Sequence, residues 1–127
     1  MEIHQQQWND FLPRLISGDY WLETRMMLCA EQWRAGEKLG TWDVLNEVVV
    51  SRGQFIRPVH LTTQLDGRYL TTYVADALIA ATPTGSTAYA LAVGGPILPP
   101  ELRNILLVPV APHLSLERAI VLAENTR

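Results

Sequence analysis

Val59-His60-Leu61-Thr62-Thr63-Gln64-Leu65, then Asp66-Gly67, then Arg68-Tyr69-Leu70-Thr71-Thr72-Tyr73-Val74 is the stretch on which the fold turns. Asp-Gly suits the positive backbone angles of a tight hairpin turn, and threonines and tyrosines fill both arms. Working outward toward the C-terminus, Ala77 to Ala81 is a short apolar run stopped by Pro83. After Gly85, Ser86 to Val93 has the small residues of a short helix, closed by Gly94-Gly95-Pro96. Ile105 to Val110 and Ala119 to Leu122 read as buried strands, the first ended by Pro112.

Working outward toward the N-terminus, Val48-Val49-Val50 is a β-branched strand between Asn46-Glu47 and Ser51-Arg52-Gly53. Tyr20, Leu22, Thr24, Met26, Leu28 and Ala30 alternate with Glu23 and Arg25 on the other face, which predicts a strand from Tyr20 to Ala30. Trp8, Phe11, Leu12, Leu15 and Ile16 recur at helical steps, and Ser17-Gly18-Asp19 ends that helix. All four tryptophans fall in the first third and read as core. The sum is a mainly β domain with one or two short helices.

At 127 residues the chain has the usual size of one domain, 1–127, and 48% hydrophobic against 18% charged residues marks a folded chain. Ten Lys+Arg against thirteen Asp+Glu, with no basic run, leaves no electrostatic footprint for nucleic acid or an anionic membrane. The single cysteine, Cys29, excludes an internal disulfide and a multi-cysteine zinc site, and fits a reducing compartment. No apolar stretch approaches the roughly 20 residues that cross a bilayer, and Met1 to Gln5 lacks a basic region followed by an apolar one. A cytoplasmic location is the expectation. His4, His60 and His113 share no metal-ligand spacing.

Thr82-Pro83-Thr84-Gly85-Ser86-Thr87-Ala88-Tyr89 concentrates hydroxyls at a turn between a strand and a predicted helix. Gly85 lets the backbone approach a ligand closely, and Thr84 or Ser86 can cap the helix, whose free N–H groups suit a phosphate or a ribose hydroxyl. An ordinary capped helix accounts for the same residues. The segment is no P-loop, since Gly-Lys-Ser/Thr is missing, and Gly94-Gly95-Pro96 is no dinucleotide fingerprint. Asn46-Glu47 places an amide and a carboxylate at a strand start, where they could read an adenine edge and bind ribose hydroxyls or simply face water. Asp76 interrupts an apolar run and needs a partner, a ligand or an outward turn.

Taken together, Tyr69 to Ile79, then Ala81 to Tyr89, then Gly94-Gly95-Pro96-Ile97, resemble the C-terminal domain of NAD kinases. Leu45 to Val49 looks like that family's Asn-Glu motif, Glu23 to Leu28 its Glu-x-Arg-Met-Met-Leu strand, and Val108 to His113 its Pro-His segment. The resemblance implies transfer of the terminal phosphoryl group of ATP, or of polyphosphate, to the 2′-hydroxyl of the adenosine ribose of NAD, giving NADP. It implies that Asn46, Glu47, Asp76, Thr84, Thr87, Ala88 and Tyr89 bind NAD, and that the chain forms homo-oligomers, dimers or tetramers, in which one copy completes the NAD site of another.

The family's Gly-Gly-Asp-Gly motif, which carries the aspartate base and serves phosphate and divalent-cation binding, is absent from these 127 residues. No catalytic residue is therefore assigned within the chain, and the chain alone is expected to be inactive, because nothing in it positions the phosphoryl group. Smaller departures are Ala77 where the family has glycine, Ala90 and Ala92 where serine is common, and Leu114-Ser115-Leu116-Glu117 after His113. Competing readings are a non-catalytic nucleotide-binding or oligomerisation module, which a coding sequence without Gly-Gly-Asp-Gly would favour, and a lipid-kinase-like domain, which lipid-headgroup binding without NAD binding would favour.

Overall fold

A computed structural model of the chain describes residues 5–53, 57–113 and 116–127. The expectations placed on residues 1–4, His4 among them, and on Leu114-Ser115 lie outside the described residues. The hairpin on which the sequence reading turned is present. β4 (Val59–Leu65) and β5 (Arg68–Ala75) pair antiparallel around Asp66-Gly67, whose φ angles of 51° and 76° are the positive pair that the two-residue turn demands.

Upstream, α1 (Trp8–Ile16) is followed by irregular chain and then by β1 (Leu28–Arg34) and β2 (Glu37–Val44), an antiparallel ribbon turning at Ala35-Gly36. Four strands make the main sheet: β3 (Glu47–Ser51), β6 (Ala77–Ala81), β7 (Asn104–Val110) and β8 (Ile120–Ala123), all antiparallel in the order β3-β6-β7-β8. The mainly β expectation holds, with two short helices, α1 and the single-turn α2 (Tyr89–Ala92).

Alternation along β6 and β7 gives the main sheet two apolar faces. Ile79, Ala81, Leu106 and Val108 form one, closed by Ala90, Val93 and Leu98 from the segment around α2. Leu78, Ala80 and Leu107 form the other, closed by Tyr73, Leu61 and Leu70 of the β4–β5 hairpin. Two covered faces explain why Ala77 to Ala81 reads as an unbroken apolar run rather than an alternating one. Pro109 lies inside β7 but beyond Leu107, the last residue of that strand in register with β8, so its missing N–H falls where β8 has ended.

Two expectations need correction, and one strand left no signal in the sequence. Residues 20–27 carry no strand, which starts only at Leu28; Arg25 is bonded to Glu23 (2.7 Å) and to Thr84, and no neighbouring strand supplies a ladder there. β2 was not read at all, because Glu37-Lys38, Gly40 and Asp43 break its alternation. The tryptophans are not core: Trp8, Trp21, Trp33 and Trp42 are all at least half exposed, Trp33 lying under Lys38 and donating to Glu31 Oε2 (3.0 Å). Those two bonds from Lys38 and Trp33, the Lys38 contact the larger effect, hold the Glu31 carboxyl below its ordinary range.

Tyr73 is fully buried, and its phenol oxygen has no hydrogen-bond partner among the described residues. Burial raises the phenol's pKa from its ordinary 10.0. Tyr73→Phe is therefore expected to stabilise the fold by about 1 kcal/mol, since it deletes an unsatisfied buried group without opening a cavity. The wild type should lose stability as the pH climbs above about 10, where only the unfolded phenol ionises, and the variant should lose less. Thermal melts of both proteins at about pH 8 and about pH 11 read both effects; a lower melting temperature for the phenylalanine protein at the lower pH would contradict the packing.

Candidate functional site

The antiparallel register of β3 with β6 sets Glu47 opposite Ala81. The start of β3 and the end of β6 therefore meet at one end of the main sheet, and Asn46-Glu47 comes beside Thr82 to Tyr89 although more than thirty residues separate them in the chain. The join is direct: Thr82 N–H donates to Asn46 O at 2.8 Å, and Thr82 Oγ1 donates to Leu45 O at 2.6 Å. Gly85 sits so close to Asn46 that a Cβ added there would lie 2.1 Å from the Asn46 carbonyl oxygen.

Glu47 is half-buried, and its Oε2 has no partner among the described residues. A carboxylate oxygen taken from water with nothing to accept from is costly. Asn46 is exposed beside it. Thr84 is half-buried; its carbonyl accepts from Thr87 Oγ1 (3.3 Å), and its hydroxyl accepts from Arg25 Nη1 (3.4 Å). Thr87 and Tyr89 are exposed, and Ala88 is half-buried between them. Arg25 was quoted from the sequence only as part of a strand motif; its approach to Thr84 across 59 positions left no local signal.

The loop does not have the form expected from its residues. Gly85–Thr87 is a turn of 3₁₀ helix, and Ala88, at φ −99° and ψ −125°, breaks it from α2. The predicted helix from Ser86 to Val93 is thus two short turns. The amides of Gly85, Ser86 and Ala88 are already bonded to Thr82 Oγ1 (3.0 Å), Thr82 O (2.9 Å) and Gly85 O (2.9 Å). A helix start presenting these N–H groups to a phosphate is not what the loop offers. The polar side chains at this end of the sheet are the amide of Asn46, the carboxylate of Glu47, the hydroxyls of Thr84 and Thr87 and the phenol of Tyr89.

Asp76 does not join this group. It is exposed, its N–H donates to Val110 O (2.9 Å), and it precedes Ala77, whose β3 partner is Ser51, so it stands at the opposite end of β6. Five strand steps separate it from Ala81, about 17 Å. Among the described residues no three His, Cys, Asp or Glu side chains converge on a possible metal site. No helix among the described residues is long and apolar enough to cross a membrane. A cavity of about 580 Å³ lies against α1 and Asp19-Tyr20-Trp21 and holds none of the candidate residues.

Residues 45–127 match the family model described as the ATP-NAD kinase C-terminal domain. The chain is 47% identical over 120 residues to an NAD kinase of Citrifermentans bemidjiense, covering 92% of this chain and 42% of that protein. It is 46% identical over 124 residues to an NAD kinase of Chloroflexus aggregans, covering 98% and 45%. The chain thus spans less than half the length of these relatives. Among solved structures, yeast NADH kinase complexed with NADH superposes with a TM-score of 0.80 at 28% identity, over 95% of this chain and 36% of that one. An NAD kinase from Archaeoglobus fulgidus in complex with ATP shares the fold, at a TM-score of 0.76 and 23% identity over 95% and 46%.

Proposed function

Because the chain belongs to the family of ATP-NAD kinase C-terminal domains, we propose that it is the NAD-binding, oligomerising domain of an enzyme that phosphorylates the adenosine 2′-hydroxyl of NAD. The observation that carries this reading is the meeting of Asn46-Glu47 with the Thr84 to Tyr89 loop at one end of the main sheet. There the Asn46 amide can pair with an adenine edge, and the unpartnered Glu47 oxygen can accept from a ribose hydroxyl. Thr84, Thr87, Ala88 and Tyr89 follow in the loop that Thr82 and Gly85 hold against Asn46. Holding the ribose still is this domain's part in the reaction, since fixing the acceptor removes the entropic cost of bringing it to the phosphoryl group. The donor, ATP or polyphosphate, with its cation, belongs to a Gly-Gly-Asp-Gly domain, and these 127 residues alone bind NAD without phosphorylating it.

Asp76 stands too far along β6 to share the group held by Asn46 and Glu47. It serves the other end of an extended dinucleotide, or a dinucleotide held by a neighbouring copy. Calorimetric titration of NAD into the purified chain is expected to show saturable binding, weakened by about tenfold in Asn46→Ala and in Asp76→Ala. Wild-type affinity in both variants would remove these residues from the site. Mixing the two variants distinguishes the roles of Asp76: recovery of part of the lost binding means that the residue reaches across to a second copy, and no recovery means that it acts on its own chain's ligand.

A further inference from the structure

Besides the phenol of Tyr73, two polar side chains are buried outright among the described residues, Thr82 and Ser86, and both lie in the loop of the candidate site. Neither hydroxyl is directed at a ligand. Ser86 Oγ donates to Pro83 O (2.7 Å) and accepts from Leu98 N–H (2.9 Å), which fixes the loop to the segment behind it. Thr82 reaches the other way. Its Oγ1 donates to Leu45 O (2.6 Å) and accepts from Gly85 N–H (3.0 Å), while its own N–H donates to Asn46 O (2.8 Å) and its carbonyl accepts from Ser86 N–H (2.9 Å). One residue thus bonds to the start of β3 and to the turn that begins the loop.

We propose that Thr82 is a positioning residue that fixes Asn46 and Glu47 relative to Thr84 to Tyr89, acting through the backbone and without touching the ligand. Its bearing on NAD rests on the reading given under the proposed function. A hydroxyl is needed for the purpose, because the one group must donate to a carbonyl on one side and accept from an amide on the other. A methyl in its place strands the N–H of Gly85, which is itself buried, and releases Leu45 O. The backbone hydrogen bond from Thr82 N–H to Asn46 O would remain, so the strand stays paired while the angle between the two halves of the site loses its second fastening.

The test compares Thr82→Val, which keeps the branched shape and loses the hydroxyl, with Thr82→Ser, which keeps the hydroxyl. Ile79→Val serves as a core control that loses one methyl from the covered face and touches nothing in the site. Amide hydrogen exchange without ligand reads the fastening itself: the Gly85 amide should exchange about tenfold faster in Thr82→Val and as in wild type in Thr82→Ser. NAD affinity measured well below each melting temperature should fall about tenfold in Thr82→Val, recover to within about twofold in Thr82→Ser, and stay unchanged in Ile79→Val. Unchanged Gly85 exchange in the valine variant, or an affinity loss that serine does not restore, overturns the proposal. Wild type that fails to bind NAD overturns the dinucleotide reading instead, and the Gly85 exchange rates then decide the role of Thr82 by themselves.

Discussion

Gly85→Ala is expected to destabilise the fold by about 3 kcal/mol and to weaken NAD binding by at least about a hundredfold. The added methyl would lie 2.1 Å from Asn46 O, 2.5 Å from its carbonyl carbon and 2.9 Å from its Cα. All three are backbone atoms, so no side chain can swing aside to make room, and the start of β3 has to retreat from the loop. That retreat pulls against the bonds from Thr82 to Asn46 O and Leu45 O, each costing about 1–3 kcal/mol if left unmade in a buried place. It also moves Asn46 and Glu47 away from Thr84 to Tyr89, and a displacement of about 1 Å is enough to lose most of a positioned site's function. Gly53→Ala is the matched control, since among the described residues nothing lies within 4 Å of its added methyl, and it should change stability by less than about 0.5 kcal/mol. Urea unfolding and NAD titration of the three proteins measure both effects; an alanine at position 85 that leaves stability and binding intact would mean that the two segments do not meet as described.

Other parts of the molecule differ in how far their residues announce them. The β4–β5 hairpin was legible because a two-residue turn with positive φ leaves a short local signature, Asp66-Gly67. β6 and β7 were legible because both faces of the main sheet are covered, which writes an apolar run into the sequence. The segment from Tyr20 to Met27 misled because alternation reports which side chains could share a face, and says nothing of whether a neighbouring strand is there to bond with. β2 was lost for the opposite reason. In a two-stranded ribbon with both faces largely exposed, nothing forces polar and apolar positions to alternate.

The register of β3 with β6 brings Asn46 and Glu47 to the start of the loop that carries Thr84, Thr87, Ala88 and Tyr89, with Thr82 bonded to Asn46 O. What could not be read is how they are held. The hydroxyl of Thr82 looks like any threonine near a turn until its partners 37 and 3 positions away are known. The loop's backbone donors looked available from a hydroxyl-rich turn with Gly85 at its centre, and only the folded geometry shows the amides of Gly85, Ser86 and Ala88 spent internally. The separation of Asp76 from the other candidates is likewise a matter of which end of β6 each occupies.

Glu47→Met should move stability and binding in opposite directions. Glu47 Oε2 is buried without a partner among the described residues, and Glu47 is at the first position of β3, opposite Ala81 of the apolar β6. Methionine has nearly the same length and flexibility and carries no group that asks for a hydrogen bond, so it relieves a desolvated carboxylate oxygen at little cost in packing. The expected gain is about 1 kcal/mol of folding stability. On the proposed function NAD affinity should fall by more than about tenfold, because the carboxylate that would accept from the ribose hydroxyl has gone. Glu47→Gln, which keeps one acceptor oxygen, should lie between the two. A residue kept for the fold would instead lose stability and affinity together when replaced, and one that merely faces water would change neither. Opposite signs single out a group held in an unfavourable place for the sake of what it binds, and paired urea unfolding and calorimetric titration of wild type, Glu47→Gln and Glu47→Met separate the three cases.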